Sequence, residues 1–143
     1  MAKGSGQKRR YPRELLGGVA WSFTAPSFRS RARFEQAVRG YYRRIGLEFD
    51  WDHDEVVLRC PRVRVRPVFW DDYDPGQEER FTAELAADIP SGFTAGELLF
   101  KVHNAFVRLW QEDAGDHVFF EGFHLVKGAT GDTAPLYDIG VGS

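Results

Sequence analysis

Disulfides, thiolate metal sites, membrane spans and a charge of one sign are all missing from this sequence, and each absence narrows the reading. Cys60 is the one cysteine of 143 residues, so no intrachain disulfide can form. Structural zinc sites usually draw several thiolates, so a cysteine-held zinc is not expected either. No apolar run approaches the roughly 18 residues that a bilayer span needs. Lys and Arg total 19 against 21 Asp and Glu, a net charge of −2, which gives no overall pull toward nucleic acid or an anionic membrane. Any such contact must come from a local patch. Lys8, Arg9 and Arg10 ahead of the apolar residues Leu15 to Trp21 faintly suggest a leader peptide. Glu14 at the start of that run, and Ser22 and Thr24 at its end, argue against one. A reducing, cytoplasmic location and no membrane partner are the expectation.

Aromatic residues are abundant. Twelve Phe, five Tyr and four Trp supply enough large apolar side chains for one core without covalent staples. The length suits one domain. Residues 1–13 are rich in Gly, Lys, Arg and Gln with little to bury, and read as a mobile basic tail ahead of a single globular domain over 14–143.

The apolar periodicity predicts an α+β chain in the order β-α-β-β-β-β-α-β-β. Val19, Trp21 and Phe23 alternate with Ala20, Ser22 and Thr24, as a half-buried strand does. Phe34, Ala37, Val38, Tyr41 and Ile45 recur at helical spacing over residues 30–45, and Gly46 stands where a left-handed residue ends a helix. Residues 47–52 and 56–60 alternate and read as a hairpin about His53-Asp54, with Trp51 opposite Val56 and Phe49 opposite Leu58. A second hairpin joins 62–70 to 80–85, with Arg66 opposite Glu84, Val65 opposite Leu85, Phe69 opposite Phe81 and Trp70 facing Arg80. Thr94 and Glu97 form a capping box for a second helix, whose stripe is Leu98, Leu99, Val102, Ala105, Phe106 and Leu109. Residues 117–126 and 136–141 close the chain as a last hairpin. These elements predict a mostly antiparallel sheet of about six or seven strands with two helices packed on one face.

Chemical motifs are sparse. Asp50, Asp52 and Asp54 imitate the start of a calcium loop, but Glu55 and Pro61 stand where that loop needs Gly and a bidentate Glu. His53, His103, His117 and His124 form no closely spaced ligand pair. No metal or other cofactor is therefore expected. A nucleophile elbow and a phosphate-binding glycine loop are also missing. Cys60 is in phase with Val56 and Leu58 and reads as a buried, inert thiol.

Three readings of function remain. The first is a non-catalytic protein–protein interaction module, adaptor- or immunity-like, whose partner is another protein. Phe100 and Val107 fall off the core stripe of the second helix. With Trp110, and with the acidic Asp71, Asp72 and Asp74 beside them, they are its candidate contacts. The second is a nucleic-acid-associated protein using the basic tail and the row Arg62, Arg64 and Arg66. The third is a small enzyme or ligand-binding domain. Here His124 lies in diagonal reach of Asp138, and Glu121 shares a strand face with Phe119, Phe123 and Leu125. The binding module is the leading reading and an enzyme the lesser one.

Overall fold

A computed structural model describes residues 11–69, 81–112 and 114–142. Among the described residues the chain has mixed α and β content, with three helices, a five-stranded sheet and a two-stranded sheet. The order is β1 (Glu14–Leu15), α1 (Arg31–Ile45), β2 (Val56–Leu58), β3 (Arg62–Phe69), β4 (Ala83–Ala86), β5 (Phe93–Thr94), α2 (Ala95–Ala105), α3 (Val107–Glu112), β6 (Phe119–Lys127) and β7 (Leu136–Gly142). The larger sheet runs β1-β6-β7-β3-β4, and β2 pairs with β5 in the smaller one. Among the described residues, no helix is long and apolar enough to cross a membrane.

Both main helices begin where short-range chemistry says they should. Ser30 caps α1 by accepting the Arg33 N–H, and Gly46 closes it in the left-handed conformation. Thr94 caps α2 through the Glu97 N–H, and the Glu97 carboxylate reaches back to the Thr94 N–H, so the capping box is complete. α2 then stops at Ala105. Phe106 breaks the helical rise, and α3 resumes one residue later.

The sheet is not purely antiparallel. β3 runs parallel to β7, pairing Arg64 with Leu136 through to Phe69 with Val141. One face carries Val63, Val65, Tyr137, Ile139, Val141 and Phe123 into a core shared with Phe34 and Val38 of α1, Leu98, Leu99 and Val102 of α2, and Leu109 and Trp110 of α3. The opposite face carries Arg64, Arg66 and Asp138.

Four sequence expectations change. Residues 19–24 form no strand, although Val19, Trp21 and Phe23 are all buried. The Phe23 N–H donates to the Val118 carbonyl and the Phe120 N–H to the Trp21 carbonyl, so the segment only touches the start of β6. Residues 47–52 do not pair with 56–60. The first N–H groups of α2 need acceptors, and the loop supplies them: Ala95 donates to Glu55 O and Gly96 to His53 O. β2 pairs with β5 instead. The β3–β4 register is offset by two residues, with Arg64 opposite Glu84 and Val63 opposite Leu85. An even offset preserves the buried face, so alternation could not choose between the registers. Trp70 and Arg80 lie outside the described residues. Finally, the expected tail is anchored at its end: Tyr137 Oη donates to the Pro12 carbonyl at 2.7 Å, and the Leu125 N–H to the Arg13 carbonyl.

Candidate functional site

The break between α2 and α3 creates an opening in the apolar surface. Phe106, at the break, turns its ring inward to Trp110, with ring centroids 5.9 Å apart. Ala105 is left exposed rather than on the core stripe, and Val107 is half-buried. Phe81 and the start of β4 face this break across a groove of about 560 Å3, lined by Phe81, Ala83, Ala105, Phe106, Val107 and Leu109 among others. β4 ends the sheet, and among the described residues no strand pairs with its outer edge. Lys101 Nζ donates to the Ala86 carbonyl at 2.6 Å and so covers the far end of that edge. An edge lysine of this kind blocks indiscriminate strand pairing.

The expected contacts separate here. Val107 lines the groove. Phe100 packs inward, its ring 5.8 Å from that of Phe34 and only partly exposed. Trp110 is not a surface residue. It is 3% exposed and stacks on Phe23 at 4.3 Å, so it belongs to the core. Asp71, Asp72 and Asp74 lie outside the described residues.

The arginine row is occupied by the protein's own acceptors. Arg62 pairs with Glu84 at 3.6 Å, Arg64 Nε donates to the Ala134 carbonyl at 2.9 Å, and Arg66 Nε donates to Asp138 Oδ1 at 2.6 Å. The last pair is largely enclosed, at 15% and 17% side-chain exposure.

That same pair bears on the acid–base reading. His124 stands directly opposite Asp138 in the β6–β7 register, closer than the diagonal expected. Yet Asp138 is taken by Arg66, and His124 Nδ1 lies 3.7 Å from Glu14 Oε1 instead. Glu121 does not share a buried face with Phe123. A bulge between Phe120 and Phe123 slips the alternation, leaving Phe119 and Glu121 exposed while Phe120 and Phe123 both enter the core. Gly122 makes the bulge possible, with φ at 96° and its Cα against the 15–17 turn, where a Cβ would sit 3.2 Å from Gly17 Cα.

His53 was not singled out by sequence reasoning. Its ring stacks on Trp51 at 4.1 Å and on Phe49 at 5.3 Å, and it is 6% exposed. Nδ1 lies 3.8 Å from Glu35 Oε1, beside a pocket of about 310 Å3 lined also by Arg31, Asp54 and Gly96. Gly96 is required there, since a Cβ would come within 2.5 Å of Nδ1. Burial pushes the His53 pKa below its ordinary value, opposed by the Glu35 carboxylate. Among the described residues, no three His, Cys, Asp or Glu side chains gather as a metal would require. Arg31 is committed to Thr94 Oγ1 at 2.9 Å, and Glu35 to Arg39 at 3.2 Å. The continuing alternation Phe49, Trp51, His53 was the available signal: it marks an aromatic cluster under α1 as readily as a strand.

Cys60 is buried, and its Sγ donates to the Arg62 carbonyl oxygen at 3.1 Å.

No family model, curated protein or solved structure matches this chain. The functional reading therefore rests on geometry alone.

Proposed function

We propose that this chain is a non-catalytic protein-binding domain, and that the groove at the α2–α3 break receives an extended, apolar segment of a partner protein. The observation that carries the reading is the groove itself. Phe81, Phe106 and Leu109 line it beside β4, whose outer edge pairs with no strand among the described residues. Maintaining such an opening in water is unfavourable, and contiguous exposed apolar surface is what partner sites use. An extended segment suits it because main-chain groups can bond along β4 while alternate side chains enter the groove. Lys101, closing the Ala86 end, limits how far such a strand can run.

The other readings draw less support. Each arginine of the 62–66 row already has an acceptor, so phosphate binding would have to displace it. A His124 general base would need Asp138, which the short Arg66 bond holds.

A photo-reactive phenylalanine analogue placed at Val107 tests the proposal in extracts of the source organism. The expected result is one discrete cross-linked product from Val107, competed by excess unlabelled protein. The same analogue at Ile89, which is 65% exposed and outside the groove, should give none. Equal products from both positions would count against the groove.

A further inference from the structure

His103 lies in the last turn of α2 and is 0% exposed. Its Nδ1 accepts the indole N–H of Trp21 at 3.2 Å. Its Nε2 lies 3.1 Å from the Ala25 carbonyl oxygen and 3.0 Å from that of Pro26. An indole nitrogen only donates and a carbonyl only accepts. Both contacts therefore demand the same state, a neutral ring with its one proton on Nε2. The rings of Trp21, Phe23, Phe28 and Phe34 surround it at centroid distances of 5.7, 5.8, 5.1 and 5.8 Å.

The neighbouring residue of α2 grips the same segment differently. Asn104 Oδ1 accepts the Phe28 N–H and Asn104 Nδ2 donates to the Phe28 carbonyl, each at 2.9 Å. An amide does not titrate, so this grip is indifferent to pH, whereas the grip through His103 is not. Two backbone bonds, from Phe23 N–H to Val118 O and from Phe120 N–H to Trp21 O, and the stack of Phe23 on Trp110 also hold the segment.

We propose that His103 is an acid-operated clamp: a proton on Nδ1 sets two donors against each other at Trp21 and frees residues 21–26 from α2, with Phe28 still pinned by Asn104. The opened segment uncovers an aromatic surface, so acid would present a second apolar face distinct from the α2–α3 groove. This inference is independent of the proposed binding function.

The pH direction comes from the surroundings. Burial drives the His103 pKa below its ordinary 6.5, and the Ala25 and Pro26 carbonyls offset part of that effect. These groups, and not any charged side chain among the described residues, set its titration. A histidine held neutral by the closed form supports that form fully above 6.5 and withdraws support as pH falls through the window beneath it. His53 titrates in a different setting, faced by Glu35, Arg39, Asp54 and Arg31.

Hydrogen exchange of the full chain between pH 7.5 and pH 5, corrected for the chemical exchange rate, reads the clamp directly. Opening linked to one proton should grow by about tenfold per pH unit across the window. That growth is expected in peptides covering 21–26 and at the Phe120 N–H, which bonds the Trp21 carbonyl, while the rest of β6 and β7 stays protected. In His103→Gln, which leaves His53 in place, the pH dependence should vanish. Nitrogen-15 NMR of the wild-type imidazoles supplies the second measurement should that variant not fold. It should find Nδ1 of His103 unprotonated at neutral pH and gaining its proton where protection of 21–26 is lost. The proposal is overturned if Nδ1 protonates with 21–26 still closed, if the pH step survives in His103→Gln, or if β6 beyond Phe120 and β7 open at the same pH as the segment.

Discussion

The two ends of α2 are built on opposite plans. At the N-terminal end every early N–H is satisfied. Ala95 and Gly96 donate to loop carbonyls and Glu97 to Thr94 Oγ1. The Glu97 carboxylate, on a residue 3% exposed, accepts from the Asp88 N–H at 2.7 Å and from Lys101 Nζ at 3.0 Å. Lys101 also bonds Asp88, which holds the Asp88 carboxyl below its ordinary pKa. Burial opposes the Lys101 charge, but the two carboxylates outweigh it and raise its pKa. At the C-terminal end His103 and Asn104 bond the 21–28 segment, and beyond them the helix breaks at Phe106 beside a largely apolar groove. Polar satisfaction fixes the first end in a single geometry, while the second ends beside a groove lined mainly by apolar side chains.

Mutations can break this contrast in order of size. Phe106→Ala should have the largest effect, about 3–5 kcal/mol of stability by denaturant melting, because its large ring lines the groove and is buried in the core. Glu97→Ala should cost about 1–3 kcal/mol, since it strands the Asp88 N–H and one bond of Lys101 in a nearly closed site. Glu97→Gln should recover part of that loss in the same melts, because its amide oxygen can still accept. Thr94→Ala should cost about 0.5–2 kcal/mol through the lost cap. It also removes the acceptor of Arg31, so a loss at the upper end would show that the Arg31 bond contributes. Val107→Ser should be smallest, within about 0.5 kcal/mol, because the side chain is only half-buried.

The contrast also explains what could be read from sequence. The ends of α1 and the start of α2 were legible because Ser30, Gly46, Thr94 and Glu97 act on neighbours within a few residues. The 47–55 segment was not, because its carbonyls serve a helix some forty residues later. Alternation of Phe49 and Trp51 gives no hint of that distant demand. Glu121 was misplaced because a bulge between Phe120 and Phe123 shifts the alternation of β6. Arg66 was expected to meet Glu84 and instead meets Asp138 across a parallel pair, which only the sheet order reveals. Of the candidate contacts, Val107 lines the groove. Trp110 does not reach the surface, because the break at Phe106 rotates α3 and lays its ring on Phe23.

The central claim is that the α2–α3 groove is a docking surface rather than a defect in packing. Phe100→Ser and Val107→Ser, each melted and each tested for partner capture at equal folded concentration, address it most directly. Phe100 packs on Phe34, so its variant should lose several kcal/mol of stability, about the scale of an aromatic truncation, and lose capture only as it unfolds. Val107→Ser should melt almost as the parent does and yet fail to capture the partner. Full capture by a stably folded Val107→Ser, or a loss of capture that merely tracks its melting curve, would contradict the claim.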